Sequence, residues 1–299
     1  MPVSTSTPGT SAGTGPVVVV TDSTASLPEQ AVVEHGVVVV PLQVVIGAQV
    51  LDEGAEGATP DRVAQALREY TPVSTSRPSP AVMLEAYERA HAEGASAVVS
   101  VHLSGEMSGT FESAQLAARE APLPVTCVDT RQVGIGTGYA ALAAARVAAA
   151  GGTAEEAAQA ARDRAAATAS LFYVDTLEYL RRGGRIGAAA ALLGGALAVK
   201  PLLRIEDGRV ASLERVRTSA RALARLEELA VEAAGEEQVD VYVAHLANPE
   251  RAGALADHLR ERLADNLGGR ELWCGELGAV LGAHVGPGMI AVCVAPLHP

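Results

Sequence analysis

The chain has 299 residues with 23 Lys and Arg against 35 Asp and Glu, which gives a formal net charge of −12. This acidic balance, in which no basic run is longer than Arg181-Arg182, argues against a nucleic-acid partner, because phosphate binding needs a concentrated basic face. Apolar residues make up 48% of the chain but aromatic residues only 3%, so we expect a core of Ala, Val and Leu that is large enough for two domains and leaves room for a tunnel.

The cysteines and the lack of targeting signals point to the cytoplasm. Cys127, Cys274 and Cys293 form no CxxC pair and have no His at a zinc spacing, so we expect no metal site and predict three small buried thiols in a reducing compartment. No signal segment opens the chain, and no apolar run reaches the roughly 18 residues that a membrane span needs. We therefore expect no stable membrane insertion, whereas transient contact with a membrane is compatible with the sequence.

The chain begins with a tail and a buried strand. Residues 1–15 offer little to bury and predict a disordered tail. Val17 to Val20 form a continuous β-branched run, which is typical of a strand covered on both faces. A short helix closed by Gly36 follows, and then residues 37–46 predict one continuous second strand.

Further strands and helices alternate up to about residue 165. Thr59 is the expected N-cap of the next helix, with Pro60 at its first position. Residues 71–80 predict a loop, and after it come a helix, a strand, a loop rich in hydroxyls, another helix, a further strand and an Ala-rich helix. This alternation predicts βαβ units and a parallel sheet with right-handed crossovers.

The sequence pattern changes from Thr153 onward. A long Ala-rich helix is followed by an apolar segment, a hairpin with an Asp-Gly turn at residues 207 and 208, and alternating helices and strands. We predict a mixed sheet carrying helices, and place the domain boundary near residue 165. The sequence thus predicts an α/β protein with an N-terminal domain over residues 16–165 and a C-terminal domain over residues 166–297.

Three loops combine the same features, because each is predicted to follow a strand, to precede a helix and to be rich in hydroxyls. They are Thr21-Asp22-Ser23-Thr24, Thr75-Ser76-Arg77-Pro78-Ser79, and the segment from Ser104 to Thr110. Such loops gather at the carboxyl edge of a parallel sheet, where the ligands of open α/β folds bind. Glycines, hydroxyls and a helix N-terminus together suit a carboxylate or a phosphate. Equally, Ser79 and Ser108 are compatible with a simple N-cap role.

Catalytic alternatives find less support in the sequence. The segment "GEMSG" places Ser108 one position later than the G-x-S-x-G elbow requires, although Ser108 or Ser104 with His284 remains the hydrolase alternative. The segment "GIGTG" lacks dinucleotide spacing and there is no Walker A sequence, which argues against a phosphotransferase acting alone.

Two further side chains are candidates for a cleft. His284 lies between glycines and is expected to face a cleft, and Arg185 follows two glycines that let its guanidinium reach inward, although a surface ion pair is equally compatible. The other histidines are predicted to be structural: His35, His91, His102, His245 and His258.

Five motifs occur in the order seen in one known family. They are "VVVVTDSTASLP", "TSRPSP", "VHLSGEMSGTFESA", "YLRRGGRIG" with "KPLL", and "GAHVGPG". On these motifs the chain resembles the DegV family of bacterial fatty-acid-binding proteins over roughly residues 17 to 295.

The resemblance implies a two-domain α/β protein that holds one long-chain fatty acid in an apolar tunnel between its domains. It also implies that the acid is presented to a separate ATP-dependent fatty acid kinase subunit, which makes an acyl phosphate, so that the chain itself has no catalytic residue and no cofactor. Thr75 and Ser104 would bind the carboxylate with help from the Gly105 amide, and Ser76 and Ser108 would also be fatty-acid-binding residues.

By the same resemblance, Arg185 and His284 would line the mouth of the tunnel, and Asp22 and Ser23 would have a supporting role. Two positions depart from the family pattern. Gly105 replaces a second serine, which removes a hydroxyl but keeps the backbone donor. Arg77 replaces a glutamine, which adds a charge near the head group. Both departures bear on the selectivity of the site.

Overall fold

The computed structural model describes residues 15–192 and 200–297. All of the predicted tail except Gly15 therefore lies outside the described residues. The strands are β1 Val17–Asp22, β2 Val38–Val40, β3 Gln43–Ile46, β4 Gln49–Asp52, β5 Val73–Ser76, β6 Ala97–His102, β7 Val125–Asp129, β8 Ala169–Tyr173, β9 Lys200–Glu206, β10 Arg209–Val216, β11 Val239–His245, β12 Trp273–Glu276 and β13 Ile290–Pro296.

The helices connect these strands. They are α1 Glu29–His35, α2 Pro60–Arg68, α3 Pro80–Ala92, α4 Thr110–Ala118, α5 Ile135–Ala149, α6 Ala154–Ala167, α7 Glu178–Arg182, α8 Ser219–Ala234, α9 Pro249–Arg262, α10 Ala264–Leu267 and α11 Ala279–Val285, with 3-10 turns at Ser23–Ala25 and Gly187–Leu192. Within the described ranges, no helix is both long enough and apolar enough to cross a bilayer.

Local sequence signals explain where several helices begin. Thr59 accepts a hydrogen bond from the Arg62 amide and Pro60 occupies the first helical turn, as predicted. Ser79 caps α3 in the same way. Thr153 and Glu156 form a capping box at the start of α6.

The N-terminal part contains the predicted parallel sheet. Its strand order is β2-β1-β6-β7, and all three pairings are parallel. The C-terminal part contains a mixed six-stranded sheet in the order β10-β9-β8-β13-β11-β12, in which β11 and β12 are parallel and the other pairs are antiparallel. The predicted α/β class with one parallel and one mixed sheet is therefore confirmed.

The prediction of one continuous strand over residues 37–46 is wrong. The segment divides at Pro41 into β2, which pairs with β1, and β3, which belongs to a separate antiparallel sheet in the order β4-β3-β5. Proline has no amide proton to donate to a ladder, so the strand ends there. The predicted loop over residues 71–80 also contains β5, which provides the third strand of this sheet.

The small sheet and α2 form a lobe, residues 43–76, which packs on α11 of the C-terminal part. Val44, Ile46 and Val63 of the lobe share one apolar cluster with Val280 and Ala283 of α11. The lobe belongs to the N-terminal half by sequence but rests on the C-terminal half. The domain boundary near residue 165 stays a prediction, because a larger cluster also joins residues from both sides of it.

Candidate functional site: an apolar cavity with a polar end

An internal cavity of about 110 Å³ lies where the lobe, the β6–α4 loop and the C-terminal sheet meet. Its described walls are mostly aliphatic or aromatic, with Leu103 and Met107 from the N-terminal half and Phe172, Val210 and Ala291 from the C-terminal half. The cavity is therefore narrow and mostly apolar. Such a space suits an apolar ligand, because its apolar walls cannot hydrogen-bond to a polar one.

Four polar side chains of this lining come from elements next to α11 and the β6–α4 loop: Thr75, Ser108, Arg185 and His284. Thr75 Oγ1 and His284 Nε2 are 2.8 Å apart. The Arg185 guanidinium donates to the carbonyl oxygens of Met107 and Gly183, at 3.1 and 2.5 Å. Ser108 Oγ lies 2.9 Å from Thr110 Oγ1. The four groups form a polar end of the cavity, and the rest of the described lining is apolar apart from the hydroxyls of Ser170 and Tyr242.

His284 is neutral in this setting at pH 7. Burial, together with the positive charge of Arg185, lowers the pKa of the imidazole to about 4. Its Nδ1 is buried and makes no hydrogen bond among the described residues. Gly183 makes this packing possible, because a Cβ at position 183 would lie only 2.3 Å from Nδ1. The positive charge at the polar end therefore comes from Arg185.

Glu53 holds the N-terminal end of α11 against the lobe. Its carboxylate accepts a hydrogen bond of 2.8 Å from the Val280 amide, and its own amide donates to the carbonyl of Leu42 at 2.7 Å. Gly278 leaves room for this carboxylate, which a Cβ would meet. Burial raises the pKa of the Glu53 carboxyl above its ordinary value. Sequence reasoning missed Glu53, because its partner is 227 residues away.

Asp22 and Ser23 lie outside the cavity lining and act on residues that form it. Asp22 is fully buried and accepts hydrogen bonds from the Leu103 amide at 3.2 Å and from His102 Nδ1 at 2.9 Å. Ser23 Oγ accepts from the Leu42 amide at 2.9 Å. Both Leu42 and Leu103 line the cavity.

The structure does not bring Ser104 or Gly105 to the cavity. The Ser104 hydroxyl is fully buried and donates to the carbonyl of Gly208 at 2.7 Å. The Gly105 amide donates to Asp129 at 3.2 Å. In the β6–α4 loop the Ser104 hydroxyl therefore points to the β9–β10 hairpin, and the Gly105 amide points to the end of β7. The sequence alone does not reveal these directions.

Ser76 and Arg77 also lie outside the lining. Ser76 is exposed, because it alternates with Thr75 on β5 and points to the opposite face of the small sheet. The Arg77 guanidinium pairs with Glu112 at 2.6 Å and donates to the Gly109 carbonyl at 3.0 Å. The charge that departs from the family pattern is thus neutralised at the surface.

The hydrolase alternative gains no geometric support. Among the described residues neither Ser104 nor Ser108 is hydrogen-bonded to His284, whose Nε2 faces Thr75. A different Asp-His-Ser chain does exist, since His102 Nε2 lies 2.7 Å from Ser100 Oγ and Nδ1 faces Asp22. All three residues are completely buried, and Ser100 is also paired with the hydroxyl of Tyr87. Ser100 and His102 have no exposed surface, which agrees with the structural role predicted for His102.

The cysteine prediction needs a correction. Cys293 is buried in the cavity wall, Cys127 is partly buried, and Cys274 is exposed on β12, an edge strand whose outer positions face solvent. In residues 15–192 and 200–297 no group of His, Cys, Asp or Glu is arranged to hold a metal ion.

Comparison with known proteins identifies what this architecture is similar to. The sequence profile of the DegV family, described as "Uncharacterised protein, DegV family", matches residues 16–297. A DegV domain-containing protein of Streptomyces coelicolor is 55% identical over 279 residues, which covers 93% of this chain and 98% of that protein.

Solved structures agree with this assignment. A fatty-acid-binding DegV family protein from Thermus thermophilus superimposes with a TM-score of 0.87 at 35% identity, covering 94% of this chain and 100% of that one. DegV of Bacillus subtilis, described as a fatty acid binding protein, gives a TM-score of 0.86 at 29% identity, with 95% of this chain and 100% of that one covered.

Proposed function

Because the chain belongs to the DegV family, we propose that it binds one long-chain fatty acid in the cavity described above, with the carboxylate at the polar end. The observation that carries this proposal is the composition of the lining, which is apolar except for groups that include Thr75, Ser108, Arg185 and His284 at that end. Solved relatives described as fatty-acid-binding proteins support the same ligand class.

The acyl chain supplies most of the affinity. Transferring a methylene from water to an apolar wall contributes about 0.8 kcal/mol, so a chain of about sixteen carbons gains on the order of 13 kcal/mol before ordering costs. A hydrogen bond to a carboxylate adds about 1.5 to 3 kcal/mol. The cavity therefore selects a hydrocarbon, and the polar end sets its direction.

The head group is held by neutral donors and one cation. The hydroxyls of Thr75 and Ser108 and the guanidinium of Arg185 are donors, and neutral His284 can orient the Thr75 hydroxyl. In this proposal Ser76, Ser104 and Gly105 act one step away, by shaping the strand and loop that carry Thr75 and Ser108. Asp22 and Ser23 support the site in the same indirect way.

The proposed role ends with delivery to a partner. A separate ATP-dependent fatty acid kinase subunit would transfer the γ-phosphoryl group of ATP to a carboxylate oxygen, which forms an acyl phosphate and ADP. The binding protein contributes position and no chemistry, and the use of ATP places the exchange in the cytoplasm. The support for this partner is the family resemblance of the five sequence motifs.

Lipid extraction tests the ligand class. The protein is purified from bacteria without detergent, denatured, and its extracted lipid identified by mass spectrometry. We expect one fatty acid per chain, or saturable uptake of added palmitate or oleate after delipidation. If neither is seen, the proposed function is wrong. Labelling by a fluorophosphonate at a serine would instead favour the hydrolase alternative.

The kinase step has its own assay. Loaded protein, ATP and a bacterial fatty acid kinase subunit are incubated with hydroxylamine, which traps an acyl phosphate as a hydroxamate. Hydroxamate is expected only when all components are present. Retention of bound lipid with no hydroxamate in the presence of a kinase that is active on its own binding protein would leave lipid binding intact and remove this partner.

A further inference from the structure

Tyr242 separates the apolar cavity from a second, open cleft. Among the described residues, Tyr242 is the one side chain that lines both spaces. The second cleft has a volume of about 660 Å³ and lies between the turn after β1 and strand β12. Tyr242 itself is only 6% exposed, so its ring fills the wall rather than either space.

The strand register places Tyr242 several residues along the sheet from α11, which carries His284. Tyr242 pairs with Cys293, and Cys293 pairs with Ser170, so these three residues form one row across β11, β13 and β8. All three line the cavity. Met289 lines the cavity between the end of α11 and the start of β13, and it precedes Cys293 by four residues, a distance of about 13 Å in extended chain.

The wall between the cavity and the second cleft depends on the Tyr242 ring and on Gly275 beside it. Tyr242 reaches across β12, where a Cβ at position 275 would lie 2.7 Å from its hydroxyl oxygen. Behind the ring, the cleft offers the apolar surfaces of Trp273 and Leu27. Four acidic residues border the same cleft, namely Asp22, Glu53, Glu271 and Glu276. An acyl chain that ends at Tyr242 thus meets a wall with further apolar surface beyond it.

We propose that Tyr242 sets the upper limit of acyl chain length in this protein. This inference rests on the proposed function, since it concerns the far end of the same ligand. Methylenes beyond the limit have no space in front of the ring, and each one that finds an apolar wall is worth about a four-fold gain in affinity. A shorter side chain at position 242 should therefore make the binding of a longer acyl chain favourable.

Ile205 provides a matched control on the opposite side. It lines the cavity and also borders a third space, of about 430 Å³. That space is lined by charged groups that include Arg131, Arg162 and Asp207. Removing the Ile205 side chain opens a path to polar surface, where extra methylenes gain little.

The test compares the bound profile of an equimolar mixture of C14 to C22 fatty acids by native mass spectrometry. Delipidated wild type, Tyr242→Ala, Tyr242→Leu, Tyr242→Phe and Ile205→Ala are loaded in parallel. We expect Tyr242→Ala to raise the ratio of bound C20 to bound C16 by about 10-fold or more, which corresponds to two additional accommodated methylenes at four-fold each. Tyr242→Leu should move the ratio in the same direction, and it replaces Tyr242→Ala if that variant does not fold. Tyr242→Phe should keep the wild-type ratio, and Ile205→Ala should raise it by less than Tyr242→Ala does.

Three results would overturn the inference. If the alanine or leucine variant binds C16 and keeps the wild-type ratio, Tyr242 does not limit chain length although fatty-acid binding stands. If Ile205→Ala shifts the ratio and the Tyr242 variants do not, the chain ends at the other side of the cavity. Failure of the wild type to bind any member of the series would overturn the proposed function itself, and this inference with it.

Discussion

Thr75 and His284 are separated by 209 residues in the chain, and Thr75 Oγ1 lies 2.8 Å from His284 Nε2. One residue is on the small lobe and the other is on α11, so this contact joins the two halves at the polar end of the cavity. A carboxylate that binds there has to share the Thr75 hydroxyl with the imidazole.

Loss of the Thr75 hydroxyl should weaken recognition of the head group. A hydrogen bond to a charged group is worth about 1.5 to 3 kcal/mol, so Thr75→Val should lower the affinity for palmitate by about 10-fold to 100-fold. The affinity for the methyl ester should change little, because the acyl chain contacts remain. Competitive binding of acid and ester measures both.

Ser74→Ala is the control for this variant, because Ser74 is exposed on the same strand and points to the other face. It should leave the preference for acid over ester unchanged. Equal losses for acid and ester in Thr75→Val would show that Thr75 serves packing and not head-group recognition.

His284 should make the protein less stable in mild acid. Its folded-state pKa of about 4 lies below the ordinary 6.5, so the unfolded chain takes up the proton more readily. The contribution of neutral His284 to the free energy of unfolding is complete above pH 6.5 and is lost as the pH falls toward 4. At pH 5 the free energy of unfolding is lower by about 2 kcal/mol for this reason. Urea denaturation of wild type and His284→Asn at pH 7.5 and pH 5 isolates this effect.

In that comparison the loss between the two pH values should be smaller in His284→Asn by about the same 2 kcal/mol. The pKa of His245 is also lowered by burial, but His245 is present in both proteins and cancels. An identical pH dependence in the two proteins would mean that His284 is not buried in the neutral form.

Glu53 should stabilise the docking of the lobe on α11. Glu53→Ala removes the acceptor of the Val280 amide and leaves that donor buried, which should cost about 1 to 3 kcal/mol of unfolding free energy. Glu56→Ala is the control, because Glu56 is exposed on the same turn and should change stability by less than about 0.5 kcal/mol. Comparable effects of the two changes in chemical denaturation would contradict this role.

Asp22 should matter more for stability than the aspartate that ends β7. Asp22→Ala would leave His102 Nδ1 and the amides of Thr24 and Leu103 without their buried acceptor, at a cost of about 3 kcal/mol or more. Asp129→Ala removes an acceptor from loop amides that are exposed, and should cost about 1 kcal/mol. Denaturant midpoints of the two variants give the comparison, and a smaller loss in Asp22→Ala would contradict it.

The sequence was most informative where the signal is local. The N-caps at Thr59 and Ser79 follow from a hydroxyl and a proline at fixed spacing, and the run from Val17 predicts the buried strand of a parallel sheet. The break at Pro41 was missed because the apolar residues on both sides of it form one uninterrupted β pattern. In that segment tertiary pairing assigned the two pieces to different sheets.

The site was only partly predictable, because the direction of a loop side chain depends on distant packing. Thr75 and Ser104 have the same character in the sequence, yet the first lines the cavity and the second bonds to Gly208. Tyr242 sits in a strand without any motif, and its place between two spaces follows from the register of β11 with its neighbours. Glu53 likewise has no local signal for its contact with α11.

The crystal structure of delipidated, detergent-free protein supplied with oleate tests fatty-acid binding most directly. We expect continuous elongated density that starts between Thr75, Arg185 and His284 and ends beside Cys293 and Tyr242. A cavity filled by side chains or by water in such crystals, with oleate absent or bound elsewhere, would contradict the proposed function.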